Sequence, residues 1–209
     1  MWLALGIGLG ILAARFRGQI VDRLSTIFVL IGTSLPTFLT GLILLVFVVI
    51  RWGLIPFPSG NYTSFFENPF EWAQILFLPW LTLAFAYAAL YTRFVRSSVI
   101  DTSNEDYIRT ARAKGLSEGV ILGKHTLRAA LAPIATMAGL DFAGLLGGAI
   151  LTESVFNLPG LGRLAISAVT KYDLPIIVAT TLLAAFIVVI MNLIVDILYA
   201  YIDPRVRVA

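Results

Sequence analysis

Acidic side chains are rare in the apolar stretches of this 209-residue chain, and each one found there needs a partner or a function. Asp141 lies near the middle of one such stretch. A charged residue at the centre of a membrane-spanning helix costs about 2.5–3.5 kcal/mol on insertion scales. Asp141 is therefore the best candidate for lining a polar pathway or contacting a ligand's ammonium group. Pairing with a polar group on a neighbouring helix is an equally open reading.

Three further polar residues lie toward the ends of apolar stretches. Asn192 and Asp196 are four residues apart, so they share one face of a helix. The negative end of the helix dipole disfavours Asp196, and a structural hydrogen-bond network is favoured over a role in a pathway. Glu153 follows another apolar run. It could meet a ligand or a partner, but a carboxylate that anchors the adjacent loop is slightly favoured.

The chain offers no recognisable catalytic or metal-binding group. It contains no cysteine, which excludes disulfides, thiolate metal sites and cysteine nucleophiles. His125 is the single histidine, and packing is favoured over a ligand or base role for it. The pair Gly123–Lys124 lacks the upstream glycine and the following hydroxyl of a phosphate-binding loop. We therefore expect no enzyme activity, metal or cofactor.

The composition predicts an integral membrane protein. Hydrophobic residues make up 59% of the chain and charged residues only 13%, and the mean hydropathy is +0.92. The net charge of +3 does not require nucleic acid as a partner, because the excess is concentrated in particular loops. We expect an all-α fold and a single transmembrane domain over residues 1–209.

Five apolar segments are expected to form its helices. They are Trp2–Ala14, Leu24–Ile50 with Pro36 inside it, Ala73–Thr92, Ala129–Thr152 and Leu174–Ile202. A spanning helix needs about 20 apolar residues, so the last four qualify and the first is short. The first segment is interpreted as the second half of a span whose start is missing. A genuine short hairpin helix is the alternative.

Positive charge sets the expected orientation. Twelve of the fifteen basic residues lie in or beside the first loop, the third loop and the C-terminal tail. Cytoplasmic loops carry the excess of Lys and Arg, so these three parts, including the C-terminus, are predicted to be cytoplasmic. The outer loops are then about 51–72 and 153–173.

The third loop, residues about 96–128, is basic and has the signals of a helix–turn–helix. Residues 102–104 can cap a helix, Gly115 ends it after Lys114, and Ser117 with Glu118 starts a second helix through Arg128. Its basic side chains could anchor a protein partner. The apolar ones expected to fill that partner's groove are Ile108, Val120, Ile121 and Leu127. A hairpin lying on anionic lipid headgroups is the alternative that charge pattern alone leaves open.

Four motifs in this order resemble the permeases of the dipeptide, oligopeptide and nickel branch of bacterial ABC importers. They are DYIRTARAKGL (106–116), HTLRAALAP (125–133), TESVF with LPGLGR (152–163), and NLIVDILY followed by DPR (192–205). The likeness extends over about residues 10–207. The chain departs from the importer-wide loop pattern by carrying Arg109, Thr110 and Ala111 where Glu-Ala-Ala is usual. It also carries Arg128 in place of a proline. The usual first span and external segment are missing upstream of Met1.

The resemblance implies a type I importer permease in the bacterial inner membrane that forms half of a translocation pathway. Its implied partners are two ATP-binding subunits, a second homologous permease, an extracytoplasmic solute-binding protein and membrane lipid. The residues implied to couple it to the ATPases are Arg109, Ala111, Arg112, Ala113, Lys114, Gly115 and His125. The solute stays open between peptides, nickel and similar small molecules. The alternative class is a membrane scaffold whose basic loop binds lipid or a cytosolic protein without transport.

Overall fold

The computed structural model describes residues 1–53, 62–146 and 149–202, and within them all regular secondary structure is helical. The helices are α1 (Trp2–Arg15), α2 (Ile20–Ser34), α3 (Thr37–Leu44), α4 (Pro69–Ser103), α5 (Asp106–Ala113), α6 (Glu118–Val120), α7 (Leu127–Leu146), α8 (Ile150–Val155), α9 (Leu161–Thr170) and α10 (Leu174–Ile202). Two stretches of π-helix, Leu45–Arg51 and Ile121–Thr126, extend α3 and α6.

The contacts group the chain into two compact units. One comprises residues 1–33, 87–141 and 191–209, and the other comprises residues 34–86 and 142–190. The prediction of a single domain over the whole chain stays a prediction. The second unit has its own buried cluster, formed by Ile75, Leu78, Phe156 and Leu158.

The short first segment is helical and packs closely on α4. Gly6 and Gly10 lie one turn apart on the buried face of α1. A Cβ added at Gly6 would lie 2.5 Å from the Cβ of Tyr91, and one added at Gly10 would lie 2.5 Å from the Cβ of Val95. Small residues at a spacing of four let two helix backbones approach in this way.

Replacing Gly10 with valine is expected to destabilise the protein by about 1–3 kcal/mol, the usual cost of overpacking a filled contact. The added side chain would press on both Val95 and the carbonyl oxygen of Thr92. Gly8→Val is the matched control, because among the described residues a Cβ at Gly8 meets nothing outside its own helix turn within 4 Å. Thermal unfolding of the purified variants in detergent compares the two. Equal loss of stability in both would show that helix propensity, not the α1–α4 contact, dominates.

The second predicted span, Leu24–Ile50, is divided at Pro36. Helix α2 ends at Ser34, and α3 begins at Thr37 after Pro36, whose backbone is extended (φ −59°, ψ 142°). Proline disfavours helical geometry in the residue before it, which accounts for the break. The predicted segment is therefore two helices that meet at its proline, and its assignment as one span stays a prediction.

Helix α4 is longer than its predicted span. It has 35 residues, which at 1.5 Å per residue is about 52 Å, against a hydrocarbon core of about 30 Å. Arg93 and Arg96, assigned from the sequence to the third loop, therefore lie on its last turns. Nothing after Pro79 interrupts the helix before Ser103. The basic residues near Ser103 therefore belong to the same helix as the apolar segment.

The fourth predicted span, Ala129–Thr152, is also divided. Helix α7 starts earlier, at Leu127, and ends at Leu146, and α8 begins at Ile150. Ala149, directly before α8, is not helical (φ −97°, ψ 68°), and Gly147 and Gly148 lie outside the described residues. The prediction of one helix through Thr152 was wrong.

By length and composition, two helices among the described residues can cross a membrane. They are α4, with a mean hydropathy of 1.7, and residues 174–194 of α10, with 2.7; α2 and α3 make a third if their bent pair is one span. Large apolar side chains of α10 are exposed, including Leu182, Phe186 and Val189, each more than 60%. An apolar helix this exposed is stable in lipid or against another apolar surface.

Candidate functional site

The basic hairpin, residues 106–126, begins with α5 and turns at Gly115. Gly115 has φ +79°, the left-handed conformation that glycine adopts without strain. Its N–H donates to the carbonyl oxygen of Arg112 at 2.9 Å, and the N–H of Leu116 donates to that of Ala111 at 3.4 Å. These two bonds form a Schellman motif, which satisfies the last carbonyls of α5. The chain then re-enters helix at Glu118 and continues through a π-helical stretch into α7, not ending at Arg128 as expected.

The hairpin has a small core of its own. Ile108, Ala111 and Ile121 are buried and form one cluster. Ile108 and Ile121 were expected to fill a partner's groove, and that interpretation was wrong because they pack on each other. Ala111, expected to face an ATPase, is also buried there. Val120 stays exposed, and Leu127 is half-buried.

Arg112 closes the base of the hairpin. Its Nε and Nη2 donate to the two carboxylate oxygens of Glu118 at 2.7 and 3.3 Å, and its Nη1 donates to the carbonyl oxygen of Ser103 at 3.4 Å. One guanidinium thus connects the end of α4 to the start of α6. The sequence predicted that Arg112 anchors a partner, whereas these bonds hold it within the hairpin.

The surface of the hairpin that faces outward is the turn itself. Ala113, Lys114, Gly115 and Leu116 are all exposed, and so is Arg109, whose Nη1 lies 3.5 Å from an oxygen of Asp106. Among the described residues, none other than Gly115 and its chain neighbours comes within 4 Å of a Cβ built on Gly115. His125 is half-buried in the π-helical stretch. The turn is therefore a small, positively charged protrusion. The Arg112–Glu118 pair and the buried cluster close the hairpin beneath it.

Acid is expected to weaken the Arg112–Glu118 contact that closes the hairpin. The hydrogen bond from Arg112 holds the pKa of the Glu118 carboxyl below its usual value. Such a group stabilises the fold above its unfolded pKa of about 4.3, and the contribution is lost as the pH falls through the lower folded pKa. Hydrogen-exchange protection of the Leu116 amide should therefore fall below about pH 4. Glu118→Gln should show a flat profile, and an unchanged pH dependence in that variant would contradict this prediction.

The sequence did not predict a second ion pair, which joins Asp22 of α2 to Arg96 near the C-terminal end of α4. Asp22 accepts hydrogen bonds from Nε and Nη2 of Arg96 at 2.6 and 2.9 Å, and from the N–H of Gly18 at 2.8 Å. Asp22 is 6% exposed, and Gly18 has φ +80°. The available signal was an acid in the first turn of a helix with basic residues on both sides, but its partner is 74 residues away.

Asp141 is paired within the bundle. It accepts a hydrogen bond from the hydroxyl of Tyr91 at 2.5 Å. Tyr91 is fully buried, and the ring of Trp2 packs edge-on against it at 4.5 Å. The structure therefore shows Asp141 paired with a polar group on a neighbouring helix, which is one of the two interpretations that the sequence left open. Asp141 itself remains half-exposed.

Glu153 anchors the segment after α8. Its two carboxylate oxygens accept hydrogen bonds from the N–H groups of Ala149 at 3.2 Å and Arg163 at 2.8 Å. A Cβ on Gly160 would collide with this carboxylate, and one on Gly162 would collide with Ile150. The carboxylate thus ties the starts of α8 and α9 together, which is the loop-anchoring reading that the sequence slightly favoured.

Asn192 presents an unsatisfied acceptor. Its Oδ1 is buried and has no hydrogen-bond partner among the described residues. The side chain of Asp196 lies outside the described residues, so the proposed network between the two stays a prediction.

Helices α4 and α10, which are long and apolar enough to cross a membrane, and the closed basic hairpin define an all-helical protein of membrane-protein character. The family model described as "Binding-protein-dependent transport system inner membrane component" matches residues 6–208. This chain therefore belongs to that family of inner-membrane transport components.

Named relatives agree with this assignment. The chain is 42% identical over 207 residues to the "Probable peptide ABC transporter permease protein y4tP" of Sinorhizobium fredii, covering 98% of this chain and 65% of that protein. It is 43% identical over 202 residues to the "Glutathione transport system permease protein GsiC" of Escherichia coli (strain K12), covering 97% and 63%. The resemblance to ABC importer permeases is confirmed, and the chain spans a little under two thirds of the length of these relatives.

Proposed function

We propose that this chain is the transmembrane subunit of an ATP-driven importer and forms half of its translocation pathway. Support comes from the family match over residues 6–208 and from the agreement of two differently named permeases at 42–43% identity. The names of those relatives specify peptide and glutathione. A short peptide or a similar small solute is therefore favoured over nickel.

ATP hydrolysis in this proposal belongs to other subunits. The chain carries no phosphate-binding loop sequence. The expected assembly contains two ATP-binding subunits, a second homologous permease and an extracytoplasmic solute-binding protein. The C-terminus and the basic hairpin would face the cytoplasm, because the loops that hold most of the Lys and Arg lie on that side.

The observation that carries the coupling role is the closed hairpin with an exposed turn. The Schellman motif, the buried Ile108–Ile121 contact and the Arg112–Glu118 pair make the turn a rigid unit. Closure of the ATP-binding subunits on this unit would push the attached α4 and α7. A rigid-body displacement of a docked element can bias a bundle between two states.

The proposed contact set is smaller than the sequence suggested. Arg109, Ala113, Lys114 and Gly115 would touch the ATP-binding subunit. Ala111, Arg112 and His125 would support the turn from within. Asp141, with Asn192 and Asp196, is kept as a candidate for the pathway, whereas Glu153 has an anchoring role on the outer segment.

Co-purification tests this proposal directly. The tagged chain, with any upstream segment of its gene included, is expressed with the ATP-binding subunits and the second permease. Retention of the ATP-binding subunits supports the coupling role. Normal membrane insertion without retention would overturn it and favour a scaffold that binds lipid or another protein.

A further inference from the structure

A groove of about 680 Å³ lies between the basic end of α4 and the first turns of α7. Its apolar wall includes Leu90 and Phe94 of α4 and Pro133, Ile134 and Met137 of α7. The hydroxyl of Ser98 donates to the carbonyl oxygen of Ala130 at 2.8 Å, which joins the two helices beside the groove. The volume is within the range of about 300–1,000 Å³ typical of small-ligand sites.

Charged groups of both signs line this groove along α4. Arg93, Ser97 and Asp101 follow one another at intervals of four residues and therefore share one face, and Glu105 lies just beyond the end of the helix. The hydroxyl of Ser97 donates to Asp101 Oδ2 at 3.3 Å. Within the described part of the chain, Arg93 forms no ion pair, whereas Arg96 on a different face is bound by Asp22.

The separation of these charges matches a short peptide. Arg93 and Asp101 are eight residues apart, which is about 12 Å along a helix. A fully extended tripeptide spans about 10–11 Å. The headgroup of a zwitterionic phospholipid is a poorer match, because a short ethyl link holds its ammonium group close to its phosphate.

We propose that this groove binds a short zwitterionic peptide, with its carboxylate on Arg93 and its ammonium group on Asp101 and Glu105. The inference deepens the proposed import function and rests on it. Charge-assisted bonds at both ends would fix the direction of the peptide, and the apolar wall would accept varied side chains. The groove would therefore select peptides by their free termini and their length, and not by their side chains.

Because the chain contains no cysteine, a single introduced cysteine provides one defined site for labelling with a maleimide. Ser97→Cys is introduced into the full chain in lipid nanodiscs, and its reaction rate with a polar maleimide is measured with and without triglycine. Thr110→Cys is the control, because Thr110 is exposed on the hairpin and does not line the groove. Triglycine is expected to slow labelling at position 97 at least threefold and to leave position 110 unchanged.

Blocked termini and a charge variant make the test specific. N-acetyl-triglycine amide should give no protection, and Arg93→Gln should remove protection by triglycine while labelling at position 110 stays normal. Absence of protection, equal protection by the blocked peptide, or protection that survives Arg93→Gln would each overturn the groove proposal. Retention of ATP-binding subunits is measured on the same preparations. Retention without protection overturns the groove alone, and protection without retention supports the groove while the coupling role fails.

Discussion

Gly115→Arg is expected to abolish retention of the ATP-binding subunits and solute uptake, while the chain still inserts into the membrane. Gly115 lies at the tip of the exposed turn, where a new side chain projects into open space and not into the protein. An arginine there would occupy the surface on which the partner docks. A loss of more than tenfold in affinity, at least about 1.4 kcal/mol, is the expected size of this effect. Co-purification and uptake in vesicles measure it.

Two control variants separate docking from damage to the turn. Gly115→Asn keeps a residue that tolerates φ near +79°, so the backbone should hold and retention should largely survive. Gly119→Arg adds the same side chain four residues later, where a Cβ also meets no other part of the described fold within 4 Å. Retention is expected to persist in Gly119→Arg. If Gly115→Arg retains the ATP-binding subunits as the wild type does, the turn is not the docking surface.

The turn of the hairpin could be predicted because its signals are local. A glycine directly after Lys114 fits the end of a helix, and Ser117 with Glu118 fits the start of another. Which apolar side chains face inward could not be predicted in the same way. Helical spacing groups Ile108 with Ala111, but only the fold shows that Ile121 returns to cover them.

Charge counting supplies the predicted orientation, which stays a prediction, and it was misleading for single residues. It counted Arg96 and Arg112 only as basic residues of one loop. The structure binds Arg96 to Asp22 and Arg112 to Glu118. Arg96 and Asp22 are 74 residues apart in the chain, so periodicity and local spacing cannot predict their pairing. Arg93 differs from both because it lines a groove and forms no ion pair within the described residues.

The second and fourth predicted spans are both broken, but only the break in the second has a cause that can be recognised in the sequence. Pro36 was present in the sequence, and its effect on the preceding residue is enough to end α2. The non-helical Ala149 follows no proline, and an apolar run of small residues is compatible with one helix or with two. Tyr91 was also missed, although its hydroxyl binds the Asp141 that the sequence singled out, since an aromatic residue in a span reads as ordinary core.

Asp22→Asn is expected to lower the free energy of unfolding by about 1–3 kcal/mol. The change removes a carboxylate that accepts two bonds from Arg96 and one from Gly18 N–H. Breaking a fully buried pair costs about 3–5 kcal/mol, but the Arg96 side chain is 33% exposed and water will replace part of the loss. Chemical denaturation of the purified protein in detergent micelles measures the difference.

A double-mutant cycle with Arg96→Gln isolates the pair itself. If the contact carries the effect, the two single losses will overlap and the coupling will reach about 1 kcal/mol or more. Asp106→Asn is the matched control, because its pair with Arg109 is exposed and 3.5 Å long, and pairs of this kind contribute about 0–1 kcal/mol. Additive losses in the Asp22–Arg96 cycle would contradict a stabilising ion pair. The effect of Asp22→Asn would then come from the Gly18 turn, where the carboxylate caps a left-handed glycine at the start of α2.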